Sequence, residues 1–318
     1  GQEREKERSM SMKSMKKKYR VVNVFPKIQK LLIYFVLICI SFVFLKPIFG
    51  IISKTFMSSA DVIDPAVEWL PKKFSIGNLK VAASVLKVNK TLLNSIMFSG
   101  LLAICQTAVS ALTGYALSRF NFRFKHFWFV MILLAFIIPI PVLMVPRLMM
   151  FVSFQQIIKF TLIGTPIPQV LMALLGQGVY STVLILIFNN FFNMIPHVLD
   201  EAAMIDGAGP LKVFYHVVIK MSLSTILVVF LFSFVWNWNE TYITGTLLRN
   251  SIELLPAKLS LFNSEFDSMA SASGSAFKIN EAYKMAATFI SIAPLLVLYA
   301  FVQKRFIQGI ENTGITGE

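Results

Sequence analysis

The sequence predicts an all-α, polytopic membrane protein with six transmembrane helices and a helical loop between the fourth and fifth. Three observations lead there. Apolar residues make up 56% of the chain and charged residues only 14%, where a soluble domain carries about a quarter charged residues. The apolar residues fall in long runs, and roughly 20 such residues cross a bilayer as a helix. The runs lack the alternation of barrel strands, so the helix is the spanning form that satisfies the backbone in lipid.

The elements follow in order. Residues 1–27 form a basic tail, read as disordered and cytoplasmic, with Arg4, Lys6, Arg8, Lys13, Lys16, Lys17, Lys18, Arg20 and Lys27. No small-residue cleavage site follows the first span, so the tail is not read as a cleavable signal peptide. That span runs from Ile28 to Ile52 and leads into an extracytoplasmic loop, giving a first segment of 28–91. The second span is Leu92–Leu117 and the third Phe127–Pro146. The fourth, Pro168–Phe192, is interrupted by Gly176-Gln177-Gly178. The fifth is Ser224–Gly245 and the sixth Lys284–Val302. A core domain therefore covers 92–309, with the loop 196–222 inside it and a tail at 310–318. The Lys/Arg-rich N-terminus and the Arg119–Lys125 loop place both termini in the cytoplasm. The extracytoplasmic Lys54–Lys90 loop also carries lysines, and long loops obey that rule less strictly.

The net charge of +14 does not signal nucleic acid, because much of it lies in the tail, where topology and anionic lipid account for it. Cys39 and Cys105 read as small buried hydrophobes. His126, His197 and His216 share no metal-ligand spacing. The sequence holds no phosphate-binding Gly-x-x-x-x-Gly-Lys-Ser/Thr loop, no Gly-x-Ser-x-Gly and no His-Glu-x-x-His. An enzyme reading has nothing to stand on, and no cofactor is expected on this chain.

The 196–222 loop is polar and cappable. Pro196 suits a first helical turn, Asp200 and Glu201 favour its N-terminal end, and Gly207 sits where a left-handed cap is needed. Pro210 then opens a second helix through Ile219. Ala202, Ala203 and Ala208 leave little side chain between the backbone and a partner, while Glu201 and Asp206 offer carboxylates to basic groups. A surface-lying amphipathic loop would share these features.

The run Glu201-Ala202-Ala203-x-Ile205-Asp206-Gly207-Ala208 resembles the cytoplasmic coupling loop of ABC importer permeases. The chain as a whole is similar to the carbohydrate-uptake family of maltose-permease-like subunits. Asn94-Ser95, Gly114 to Phe120, Ile138-Pro139, Asn190-Phe191-Phe192, Trp238-Asn239-Glu240 and Phe306 to Gly309 add to the likeness over Leu92–Gly309. One departure is Lys220 in Ile219-Lys220-Met221, where the family has a proline; the break before the fifth span is then softer or made by another route. The ending Glu311–Glu318 also departs.

The resemblance implies that Glu201, Ala202, Ala203 and Gly207 sit in a cleft on an ATPase subunit. Closure of the ATPase dimer would swing the loop and open the bundle as a rigid body. It further implies a second homologous permease, an ATPase dimer carrying ATP and magnesium, an extracytoplasmic solute-binding protein and a carbohydrate substrate, in a bacterial or archaeal cytoplasmic membrane. Import of a polyamine, phosphate or peptide, or ATP-independent secondary transport, are the competing functions; the latter calls for internal repeats and midplane carboxylates.

Polar groups in a span face a cavity or a partner helix. The densest set is Trp236 to Tyr242. Amides and a carboxylate bond sugar hydroxyls and aromatic faces cover sugar rings, so Trp236, Asn239 and Glu240 are the candidate pathway residues. At helical spacing Trp236, Asn239 and Ile243 share a face. Helix packing with an aromatic belt explains the set equally well. Gln177, Tyr180 and Asn94 are weaker candidates. The outer loop Leu247–Glu281 is expected to hold a short helix near Leu254–Ala257 and a flexible run, Ser268–Ser275.

Overall fold

The structure is a computed structural model that describes residues 2–67, 69–249, 251–272 and 279–312; side chains are described within 27–304. Every regular element among these residues is helical. The chain divides into two units, Gly1–Ile76 and Gly77–Glu318.

In the first unit, α1 (Gln2–Phe56) carries the first span. The basic tail, expected to be disordered, continues this helix instead. Its Lys, Arg, Glu, Gln and Met are strong helix formers. From Ile28 to Leu45 the apolar side chains point outward on every side, Leu31 at 70% and Phe44 at 73% exposure. Such an all-round apolar surface is what acyl chains cover. Lys46 Nζ lies 5.7 Å from the centre of the Trp69 ring. A short α2 (Ser59–Ile63) starts with a capping box between Ser58 and Asp61.

The second unit contains α3 (Gly77–Leu86), α4 (Val88–Arg119), α5 (Lys125–Ile137), α6 (Ile140–Ile158), α7 (Ile167–Leu174), α8 (Ser181–Met194) and α9 (His197–Ile205). It continues with α10 (Pro210–Val213), a π-helical turn (Phe214–Val218), α11 (Ile219–Met221), α12 (Leu223–Asn239) and α13 (Tyr242–Leu247). The last elements are α14 (Leu255–Ser260), α15 (Phe262–Ala272) and α16 (Glu281–Asn312).

The long helix α4 is the centre of this unit and packs on α8, α12 and α7. Gly114 lets α4 approach α8 closely: a Cβ there would fall 2.6 Å from Phe188 Cβ and 2.9 Å from the Asn189 nitrogen. Around that crossing Leu184, Phe188, Phe192, Tyr115, Val213 and Phe214 form one core. A second core joins α3, α4, α12, α15 and α16 through Leu86, Ala103, Trp238, Phe266 and Ala286.

Among the described residues four helices are long and apolar enough to cross a membrane, and two bent pairs, Ser181–Met194 with His197–Ile205 and Pro210–Met221 with Leu223–Asn239, bring the number to six if each pair is one span. Four to six candidate spans agree with the predicted polytopic all-α class, and the bounds of several differ from those expected. The third does not run unbroken from Phe127 to Pro146. It breaks at Ile138–Pro139, because a proline has no N–H to donate and drives its predecessor out of helical geometry; Ile138 sits at φ −72°, ψ 122°. The helix after that break runs to Ile158 and passes straight through Pro146. In the fourth span the break at Gly176–Gly178 is present, between α7 and α8. The fifth ends at Asn239, short of Gly245. In the outer loop, Ser268–Ala272 is helical rather than flexible, with the Ser268 and Ser271 hydroxyls donating to carbonyls four residues back. Residues 273–278 lie outside the described residues.

Candidate functional site

The loop between the fourth and fifth spans forms a hook. Helix α8 turns 73° into α9, and the Pro210–Met221 segment meets α12 at 83°. At the C-terminus of α9, Gly207 adopts φ 81° in open space. The Asp206, Gly207 and Ala208 amides donate back to the Ala202, Met204 and Ala203 carbonyls, closing the cap. The sharp bend before α12 forms without the family proline. Ser222 makes it at φ −101°, ψ 10°, its hydroxyl donating to the Val218 carbonyl.

Exposure sorts the hook into two faces. Glu201, Ala202, Asp206 and Gly207 are exposed and Ala203 is half-buried. Beside them Val198 is 68%, Ile205 87% and Leu211 70% exposed. The opposite face is fixed by Asp200, which is buried against the last residue of α4. Arg119 Nε lies 2.7 Å from Asp200 Oδ2 with both side chains almost fully buried. The contact is an ion pair rather than an aligned hydrogen bond, since Nε and Asp200 Oδ1 make no bond of good geometry. The same guanidinium donates to the Ile195 carbonyl at 2.9 Å, one of the carbonyls orphaned where α8 ends, and lies 3.2 Å from His197 Nε2. Reading the sequence missed this clamp; the signal was a charge pair at the end of a span and the start of the hook.

The expected pathway residues separate. Trp236 is half-buried and meets Tyr180 edge-on at 5.1 Å and Phe232 in a stack at 5.4 Å. Asn239 is exposed, and its amide donates to the Val235 carbonyl of its own helix. Glu240 ends α12 and caps α13, accepting from the Ile243 amide at 2.6 Å. The helix stops between Trp236 and Ile243, so 3.6-residue spacing does not put them on one face. Of the weaker candidates, Asn94 donates to the Glu253 carbonyl in the outer loop. Gln177 and Tyr180 line a cavity of about 290 Å³ between the α5–α6 and α7–α8 breaks. That cavity also holds Arg147, which lies just past the predicted end of the third span and was not picked out.

Behind the cavity lies a buried amide network. Gln106, 1% exposed on α4, donates to the Val179 carbonyl at 3.1 Å and the Ser181 hydroxyl at 2.9 Å. Its Oε1 accepts from Ser233 at 2.7 Å and from Asn237. Three helices are tied by one side chain whose capacity is filled. The outer loop has a separate charged cluster in which Glu253 meets Lys87, Lys90 and Lys258 at 2.9, 3.1 and 3.3 Å. These lysines, Lys87 first, hold the Glu253 carboxyl well below its ordinary value of 4.5, at about 2.

Broken apolar helices, a filled polar network between them and a bent, exposed hook are the architecture of a polytopic helical membrane protein. The chain belongs to the family of binding-protein-dependent transport system inner membrane components, whose model matches residues 106–312. It is a multi-pass membrane permease subunit. The sn-glycerol-3-phosphate transport system permease protein UgpE of Yersinia pestis bv. Antiqua is 28% identical over 222 residues, 70% of this chain and 72% of that protein. The polygalacturonan/rhamnogalacturonan transport system permease protein YtcP of Bacillus subtilis is 27% identical over 285 residues, 88% and 95% of the two chains. The probable starch degradation products transport system permease protein AmyC of Thermoanaerobacterium thermosulfurigenes is 23% identical over 285 residues, 89% and 96%. Among solved structures, that of a bacterial ABC transporter involved in import of the acidic polysaccharide alginate matches with a TM-score of 0.71. The identity is 19%, over 88% of this chain and 97% of that one, so the likeness is one of fold.

Proposed function

We propose that this chain is one transmembrane subunit of an ATP-driven importer for a sugar or oligosaccharide. It forms half of the pathway beside a second, homologous permease. The energy comes from ATP and magnesium on a separate ATPase dimer, and an extracytoplasmic binding protein delivers the substrate. Both termini and the hook face the cytoplasm. The permeases for starch products and for polygalacturonan support a carbohydrate cargo.

The observation that carries the reading is the hook. An exposed face of Glu201, Ala202, Asp206 and Gly207, flanked by exposed Val198, Ile205 and Leu211, is held on the end of α4 by a buried ion pair. A surface with small residues, outward carboxylates and an apolar rim suits a protein partner. Its rigid attachment to α4 and α8 lets a motion of the partner pass into the spans as a lever rather than be lost in a flexible loop.

Co-purification of the tagged chain from its native membrane, with an ATPase assay in the presence of candidate sugars, tests this. A second permease and an ATPase are expected to co-purify, and to be lost with Glu201→Lys or Gly207→Asp. A folded chain that purifies alone and without nucleotide-dependent activity sinks the proposal.

A further inference from the structure

We propose that Arg147 makes the cavity between the two broken spans a receptor for the anionic group of a charged carbohydrate, a uronate carboxylate or a sugar phosphate. The inference rests on the carbohydrate reading and narrows it.

Arg147 lies in the first half of α6, inside the apolar run Ile140–Ile158. It is half-buried, and its one hydrogen bond to a side chain is to a neutral amide, Nη2 donating to Gln177 Oε1 at 3.2 Å. No carboxylate lines the cavity, and among the described residues none forms an ion pair with this guanidinium. Glu240, the carboxylate just past the end of the fifth span, is occupied by the Ile243 amide. Four of the five guanidinium N–H groups are therefore left for something else. An uncompensated cation within a span is expensive and is characteristically turned towards a cavity with a use for it.

The surroundings suit a ligand. Both walls are breaks in helices, at Ile138–Pro139 and at Gly176–Gly178. Irregular backbone is tolerated at membrane depth where it lines such a cavity, and broken helices mark binding sites in transporters. The volume, about 290 Å³, is at the lower end of ligand sites, which run from roughly 300 Å³, and has room for one sugar ring. Tyr180 lines the same cavity, is 46% exposed and is braced edge-on by Trp236. It presents an aromatic face to a ring while Arg147 presents a planar fork. That fork matches the two oxygens of a carboxylate or phosphate.

The test is import into proteoliposomes containing the complete importer, with wild-type chain, Arg147→Gln and Arg147→Lys. The probes are digalacturonate, its uncharged dimethyl ester and glucose 6-phosphate. The wild type is expected to import at least one acidic probe, and Arg147→Gln to lose about 10-fold or more of that rate. The ester rate should change less than about 2-fold, and Arg147→Lys should keep part of the acidic rate. Which acidic probe is lost tells carboxylate from phosphate. Equal loss of acidic and neutral probes in Arg147→Gln overturns the inference by making Arg147 a structural or lipid-facing group. Import of the ester alone by the wild type overturns it while leaving the carbohydrate reading intact. No sugar import or sugar-stimulated ATPase activity in any form of the importer overturns both.

Discussion

Arg119 and Asp200 form a buried ion pair at 2.7 Å that joins the last residue of α4 to the first turn of the hook. The Asp200 carboxylate stands in the N-terminal turn of α9, where the helix dipole favours it. Arg119 stands at the C-terminus of α4, where the dipole favours a cation. Each charge is thus placed well on its own helix before the two meet. The same guanidinium holds the Ile195 carbonyl, so the angle between α8 and α9 is fixed from α4.

Breaking that pair from one side leaves the other charge buried alone, which costs about 3–5 kcal/mol. Arg119→Ala and Asp200→Ala are each expected to destabilise the detergent-solubilised chain by that order and to weaken retention of the ATPase partner. The double variant should be milder than the sum of the singles. Melting temperatures of the four proteins in a double-mutant cycle measure this, and additive losses would show that the pair is not coupled.

Gly114→Ala tests the α4–α8 crossing. The added methyl would meet the Cβ of Phe188 and the backbone nitrogen of Asn189, neither of which can rotate away. Overpacking of this kind costs about 1–3 kcal/mol. A drop in melting temperature is expected, with a further drop for Gly114→Val; an unchanged Gly114→Ala would mean that the helices sit farther apart than described.

Gln106→Leu removes a donor and an acceptor at once. Ser233, Asn237 and Ser181 lose a buried partner, at about 1–3 kcal/mol for each group left unsatisfied. Gln106→Glu keeps an acceptor for Ser233 and Asn237 but loses the amide donor towards Val179 and Ser181. The expected order of thermal stability is wild type, then Gln106→Glu, then Gln106→Leu. Because Val179 and Ser181 also line the cavity, import should fall in the same order.

Much of this architecture was legible from hydropathy alone, because lipid demands about 20 apolar residues per span and leaves little freedom about it. The break at Gly176–Gly178 and the left-handed Gly207 were legible for a local reason, the conformational range of glycine. Arg147 was not. It stands one residue beyond the predicted end of the third span at Pro146, and the helix it belongs to begins only after the Pro139 break. The shared helical face of Trp236, Asn239 and Ile243 is lost for a related reason: Glu240 bonds the Ile243 amide where the helical period ends. Arg119 with Asp200, and Gln106 with Ser233 and Asn237, are pairings between distant elements that no periodicity encodes.

The outer cluster gives a pH dependence whose direction is fixed. Lys87, Lys90 and Lys258 pull the Glu253 carboxyl from 4.5 to about 2, so the folded state binds its proton less readily than the unfolded chain does. The stabilisation is complete above about pH 4.5 and is lost as the pH falls through the folded value near 2. Lys87 and Lys90 are more than half exposed, and water screens them, so the contribution is about 1 kcal/mol rather than what the full shift implies. Glu253→Gln should therefore melt lower than wild type at pH 7, by the same margin at pH 6, and by a shrinking margin as the pH falls from 4.5 to 3. The gap should also narrow in high salt. Melting curves of both proteins across that range decide the point: a gap that stayed constant down to pH 3 would mean that packing of the side chain around α14, and not its charge, is what Glu253 contributes.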